Sequence, residues 1–220
     1  MAIVTISRQF GAGGKTLGGM IAKELGYAFF DNEIIQLVAT KAKVSANWVE
    51  SVEKEAGGKF QRFVSGLVPK SLVDRILDDK RGYIDEEIYV DMLQEIIIRI
   101  ADEGNAVILG RGGQYILKDR KDTIHNLLIA DKDNRVGFME THYNLTPKQA
   151  LQAVEADDKR RINLYRKFGK TDYDKPELYH LTLNTSKIDL ESARDTVCVA
   201  VRKKEKMLEA EAAKAGECKC

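Results

Sequence analysis

Ile3-Val4-Thr5-Ile6-Ser7-Arg8-Gln9-Phe10-Gly11-Ala12-Gly13-Gly14-Lys15-Thr16-Leu17 passes from a β-rich run through a glycine cluster into helical spacing. The spacing continues through Met20, Ile21 and Leu25 until Gly26 stops it, which predicts strand, glycine loop, helix. Such a loop presents backbone N–H groups at the positive end of the helix dipole, an arrangement suited to phosphate. Gly11, Gly13 and Gly14 let the chain wrap tightly, and a side chain at Gly13 is expected to fill the space a phosphate needs. Lys15 adds a point charge, and Thr16 adds a hydroxyl able to reach Mg²⁺. The alternative is a plain tight turn between strand and helix.

Outward from this point, Tyr27-Ala28-Phe29-Phe30 reads as a second strand, followed by Asp31 in a helix-capping position. Residues 32–41 and a stretch after Ser45 read as helices. The pattern weakens over residues 57–82, where glycines and Pro69 interrupt it; this stretch reads as a mobile insertion. A long helix is predicted over about 85–102, with strands at 106–109, 123–130 and 179–184. Asp131 sits where it could cap the helix that carries Arg135, and Pro147 stands near the start of a polar helix reaching about residue 168. A last helix opens at Asp189 and dissolves into an Ala/Glu/Lys tail. Strands that hardly alternate, separated by helices, imply an α/β fold whose parallel, five-stranded sheet is covered on both faces.

Composition narrows the function classes. The 220 residues, 44% hydrophobic and 31% charged, suit one folded domain with a smaller insertion. Lys and Arg number 35 against 34 for Asp and Glu, so no overall field draws the chain to nucleic acid or an anionic membrane, and any anion site is local. The start lacks signal-peptide features and no apolar run has membrane-spanning length, so a cytoplasmic protein is expected. The three cysteines, Cys198, Cys218 and Cys220, do not suggest a disulfide framework, and His125, His142 and His180 stand at no metal-ligand spacing.

Anchored on Gly14-Lys15-Thr16, the G-x-x-x-x-G-K-[ST] motif requires glycine where the chain has Gln9. The loop instead resembles the G-x-G-K-G-T-L loop of cytidylate and adenylate kinases with lysine and the following glycine exchanged. Residues 6–14 more closely resemble the opening of the cytidylate kinase-like family, a divergent branch of the nucleoside monophosphate kinases. The likeness continues in Leu25-Gly26-Tyr27-Ala28-Phe29-Phe30-Asp31, in Val107-Ile108-Leu109-Gly110-Arg111-Gly112 and in Tyr179-His180-Leu181-Thr182-Leu183-Asn184-Thr185-Ser186, covering about residues 3–200.

The resemblance implies a three-layer α/β/α P-loop kinase domain over 1–210, with an acceptor-side insertion at about 45–82, a lid at about 155–172 and a frayed tail at 211–220. It implies ATP and Mg²⁺ as cofactors and a nucleotide or related small molecule as acceptor. Gly11, Ala12, Gly13, Gly14, Lys15 and Thr16 would hold phosphate, and Thr16 would help place the metal. Asp31 resembles an acidic residue near the acceptor, although capping explains it equally well. Arg111 resembles the arginine of a G-R-D motif on the acceptor phosphate, with Gly112 standing where base recognition would need aspartate. Arg161, then Arg160, resemble lid cations, set against a solvated face answered by Asp157 and Asp158. Arg135 resembles a further lid-associated arginine or forms an ion pair. Leu37 replaces an expected arginine, so cytidine monophosphate does not carry over as substrate. The displaced lysine leaves room for a nucleotide- or anion-binding regulatory protein without turnover. A nucleic-acid role for 159–170 lacks an aromatic platform beyond Tyr165 and Phe168.

Overall fold

The computed structural model describes residues 1–31 and 86–217. The predicted insertion at 45–82, the predicted helices after Asp31 and Ser45, Leu37, Cys218 and Cys220 lie outside the described residues. Strand β1 (Ile3–Arg8) leads through the glycine loop into α1 (Gly14–Leu25) and then β2 (Ala28–Phe30). Helix α2 (Glu86–Glu103) precedes β3 (Ala106–Leu109), the short α3 (Gly113–Ile116) and β4 (Thr123–Ile129). Helices α4 (Lys132–Tyr143) and α5 (Pro147–Lys167), a 3-10 turn at Pro176–Leu178, β5 (Leu181–Asn184) and α6 (Leu190–Glu217) complete the order.

The five strands form one parallel sheet in the order β2-β3-β1-β4-β5, with Ile3 beside both Ala106 and Thr123. Alternation along β1 sends side chains to two covered faces. Val4 and Ile6 join Leu17 and Ile21 of α1 and Val197 and Val201 of α6 in one apolar core, all fully buried. On the other face Thr5 lies under Gly113 of α3 and Ser7 bonds Tyr165 of α5. Each buried Leu, Ile or Val contributes about 1.5–3 kcal/mol relative to exposure, so the two layers hold β1 rigidly in the centre.

Local chemistry sets the boundaries. Gly26 ends α1 in the left-handed region, at φ 70°, where its N–H reaches the Ala22 carbonyl. Thr146 and Gln149 form a capping box at the start of α5, with Pro147 in the first turn. Asp131 occupies the N-cap position of α4, but its side chain makes no capping bond; its Oδ2 lies 3.7 Å from Lys187 Nζ. The tail expected to fray at 211–220 is helical as far as Glu217. No helix among the described residues is long and apolar enough to cross a membrane.

Candidate functional site

The carboxyl ends of β1, β2 and β3 carry Arg8, Asp31 and the Gly110-Arg111 turn to one edge of the sheet. Sheet order reverses at β1, with β3 on one side and β4 on the other, which opens the crevice where parallel α/β sheets bind ligands. A cleft there is lined by Arg8, Gly11, Gly13, Gly14, Lys15, Thr16 and Asp31, with Phe138, Met139 and Tyr143 of α4 as its apolar wall.

Gly11 and Gly13 take φ of +83° and +81°, a region open to glycine at little cost. Leu17 N–H donates to the Gly13 carbonyl, so the N–H groups of Gly14, Lys15 and Thr16 precede the first intrahelical bond. A Cβ on Gly14 would come within 2.9 Å of Arg8 Cγ, so glycine there lets the arginine pass. The expectation for Gly13 needs correction: its Cβ would point at Leu190, 3.0 Å from Cδ2, rather than into the cleft. Ala12 is buried, and its carbonyl accepts from Thr185 Oγ1 at 3.1 Å, pinning the loop to the segment after β5. The Lys15 ammonium lies 3.0 Å from Asp31 Oδ2, while Thr16 is exposed beside it.

The arginines separate into three environments. Arg135 is buried: its Nη1 donates to both carboxylate oxygens of Asp158, at 3.1 and 2.9 Å, and to the Phe10 carbonyl at 3.2 Å. It thus joins α4, α5 and the start of the glycine loop, and the ion-pair reading of it is the one the contacts match. Arg160 is 81% exposed, with Asp157 3.9 Å away, as a solvated face would place it. Arg161 is only 10% exposed; it pairs with Asp174, reaches Ser7 Oγ at 3.4 Å and lies over the rings of Tyr165 and Tyr173. Burial disfavours its charge, but the bond to Asp174 and the neighbouring Tyr165 outweigh this and raise its pKa.

Sequence reading missed Arg8. Burial lowers its pKa; Tyr165 and Asp157 oppose that, and the nearby charges of Arg161 and Arg111 add to it. Arg111 itself holds φ +55° between two left-handed glycines, Gly110 and Gly112. The structure therefore gathers Arg8, Arg111 and Arg161 around β1, where an anion would relieve their mutual repulsion. Asp157 belongs to the same group: burial raises its pKa, while Arg8, Arg160 and Arg111 pull it down. Tyr165, stacked on Tyr173 at 5.1 Å and bonded to Ser7 at 2.9 Å, anchors the arrangement. The position of Arg8 at a strand's carboxyl end, three residues before Gly11, was the available signal.

A family model described as the cytidylate kinase-like family matches residues 3–187. The chain belongs to the cytidylate kinase-like family. A solved structure of an uncharacterized protein from Eubacterium ventriosum ATCC 27560 is similar, with a TM-score of 0.64 at 19% identity over 92% of this chain and 98% of that one. Weaker likeness extends to a shikimate kinase from Acinetobacter baumannii, with TM-score 0.47, 15% identity and coverage of 92% and 94%. A gluconokinase from Sinorhizobium meliloti 1021 gives 0.48 and 10%, covering 96% and 97%. No curated protein matches the chain. Membership of the cytidylate kinase-like family and the five-stranded parallel sheet agree on a P-loop kinase fold.

Proposed function

We propose that the protein is a phosphotransferase that moves the γ-phosphoryl group of ATP to a nucleoside monophosphate or similar small anionic acceptor. The observation that carries this reading is the meeting, at one sheet edge, of an open helix N-terminus with Lys15 and Thr16 and a cluster of three arginines. Phosphoryl transfer asks a protein mainly for positioning and for charge placed where negative charge spreads. Here the loop of residues 11–16 would hold the donor phosphates. Arg8 and Arg111 would hold the acceptor anion, and Arg161 would exchange Asp174 for the transferring group.

A hollow sharing Gly11, Gly13 and Phe138 with the cleft continues to Asn134, Thr141 and Thr185, offering a flat ring and polar groups to a nucleoside. Mg²⁺ held mainly by phosphates needs only one or two protein oxygens, one of which Thr16 would supply in the cleft. When bound, it would neutralise charge shared between the phosphates.

One observation favours the reading without turnover: Lys15 is paired with Asp31. The discriminating experiment is calorimetry and turnover across nucleoside mono- and triphosphates with Mg²⁺. Saturable ATP binding with transfer to one acceptor class supports the kinase; binding of any nucleotide with no transfer across the panel supports the regulatory protein; absence of ATP binding overturns the kinase, and absence of binding by every nucleotide in the panel overturns the nucleotide-binding regulator as well.

A further inference from the structure

The segment that follows α5 packs against the residues that hold the arginine group. Phe168 seats its ring at the turn that carries Arg111: a Cβ on Gly112 would come within 3.1 Å of Phe168 Cζ, so glycine there admits the ring. Gly169, at φ +66°, then turns the chain. Lys170 N–H donates to the Tyr165 carbonyl at 3.0 Å, and the Tyr115 hydroxyl donates to Asp172 at 2.8 Å. Tyr173 stacks on Tyr165 at 5.1 Å, and its carbonyl accepts from the Tyr179 hydroxyl.

These contacts deliver Asp174 to Arg161. One carboxylate oxygen accepts from Nη1 at 3.2 Å and the other from Nη2. A guanidinium grips a phosphate by the same two-point pairing. The acid is the more exposed partner, at 38% against 10% for the arginine, so the carboxylate is the one with solvent to move into. Arg161 Nη2 also reaches Ser7 Oγ at the carboxyl end of β1, and its charge bears on Arg8. The fork that Asp174 fills is thus part of the arginine group described above. The anchors of Phe168, Lys170, Asp172 and Tyr173 do not use the Arg161 charge, so Asp174 can leave while the segment stays docked.

We propose that Asp174 is an internal stand-in for a phosphate group: it fills the Arg161 fork when no ligand is bound, and a phosphoryl oxyanion must displace it. The segment 168–175 thereby acts as an autoinhibitory latch that sets the affinity of the arginine group for anions. This inference rests on the reading of that group as an anion site. A fork free in about one tenth of the molecules binds its anion about tenfold more weakly than an open one.

The test titrates inorganic phosphate by calorimetry into the full chain, Asp174→Asn, Arg161→Ala and the double variant, each checked for folding by urea denaturation. Asp174→Asn should bind phosphate about tenfold tighter than the parent. In the Arg161→Ala background the same change should matter by less than about twofold, since the fork it competes for is gone. Should Arg161→Ala fail to fold, Arg161→Lys, which lacks the two-point fork, takes its place. NMR of the parent should show the Gly169 and Asp174 backbone amides shifting saturably with phosphate as the carboxylate leaves. Run with AMP and with ATP, the same cycle assigns the displaced contact to the acceptor or to the donor, either gain supporting the latch. Equal affinity of parent and Asp174→Asn, an equal gain in both backgrounds, or no saturable phosphate binding by any variant would each overturn it. None of these measurements needs turnover. A tenfold gain in a protein that transfers no phosphoryl group keeps the latch while the kinase reading fails, and full turnover without the gain does the reverse.

Discussion

Lys15 Nζ lies 3.0 Å from Asp31 Oδ2, joining the first turn of α1 to the end of β2 across the floor of the cleft. The lysine side chain is 53% exposed and the carboxylate 9%, so this is a half-solvated pair worth about 0–1 kcal/mol. Under the kinase reading, a donor phosphate competes with Asp31 for Lys15. Asp31→Asn should therefore leave ATP affinity unchanged or tighten it by no more than about fivefold, the factor that 1 kcal/mol permits. Turnover should fall if Asp31 also serves the acceptor under the same reading. Calorimetry beside steady-state rates checks this; weaker ATP binding with full turnover would show that Asp31 supports the donor site.

Arg161 and Arg160 are adjacent in sequence but differ in surroundings, which makes them a matched pair for testing the lid. Arg161→Ala should lower turnover about a hundredfold to a thousandfold, the usual loss for one donor aimed at developing charge, with a smaller change in nucleotide affinity. Arg160→Ala, at a solvated position, should change turnover less than about twofold. Asp174→Asn separates transfer from packing, because it releases the Arg161 guanidinium while keeping the tyrosine stack. Equal rates for Arg161→Ala and the parent would remove Arg161 from the reaction.

The fold was legible where a local signal and the tertiary requirement coincide. The apolar spacing of Leu17, Ile21 and Leu25 before Gly26 describes α1 because that same stripe packs on β1 and α6. Helix α3 was not legible: Gly110-Arg111-Gly112-Gly113 reads as a loop, and four helical residues after left-handed Gly112 leave no periodicity to detect. The tail from residue 211 was read as frayed although Ala, Glu and Lys, which are strong helix formers, make up all of residues 211–217 but Gly216, and the helix runs on to Glu217. Within the site, the glycine loop could be found from its order alone. The grouping of Arg8 with Arg111 and Arg161 could not, since it depends on three chain segments meeting only after the sheet forms.

Glycine substitutions distinguish a phosphate role from a backbone role. Gly13→Ala places a side chain at φ +81° and 3.0 Å from Leu190, so it should cost about 1–2 kcal/mol of stability from the backbone alone. Gly13→Val should cost more and lose ATP binding through a displaced loop rather than a filled cleft. Gly19, inside α1 with open space around its Cβ position, is the control: Gly19→Ala should stabilise by up to about 1 kcal/mol and leave nucleotide binding intact. Urea denaturation with parallel ATP titrations measures both effects. A Gly13→Ala protein as stable as the parent would mean that the loop does not need the left-handed conformation at residue 13.

His125 makes stability depend on pH in a window that can be named beforehand. Burial, with a smaller push from His180, lowers its folded pKa from 6.5 to about 4. Well above pH 6.5 neither folded nor unfolded chain carries the second ring proton, and its contribution is fully present. As pH falls from 6.5 towards 4, the unfolded chain takes up a proton that the folded chain refuses, so stability must fall. At 1.36 kcal/mol per unit the loss approaches roughly 3 kcal/mol, as an order of magnitude, by the lower end of the window. His180 is shifted in the same direction, by burial and then Lys204, and its Nδ1 accepts the His125 backbone N–H at 2.9 Å; protonation there would break that bond as well. His125→Asn removes the titrating ring and its neighbour's electrostatic push, so it should be less stable than the parent at pH 7 but lose less on acidification. The quantity to measure is the unfolding free energy from urea titrations at about pH 7, 6, 5 and 4.5, compared as slopes so that carboxylates common to both proteins cancel. Parallel slopes for parent and His125→Asn would show that the ring is protonated as readily in the folded protein as in the unfolded chain, and that its buried Nε2 has found a partner that accepts the charge.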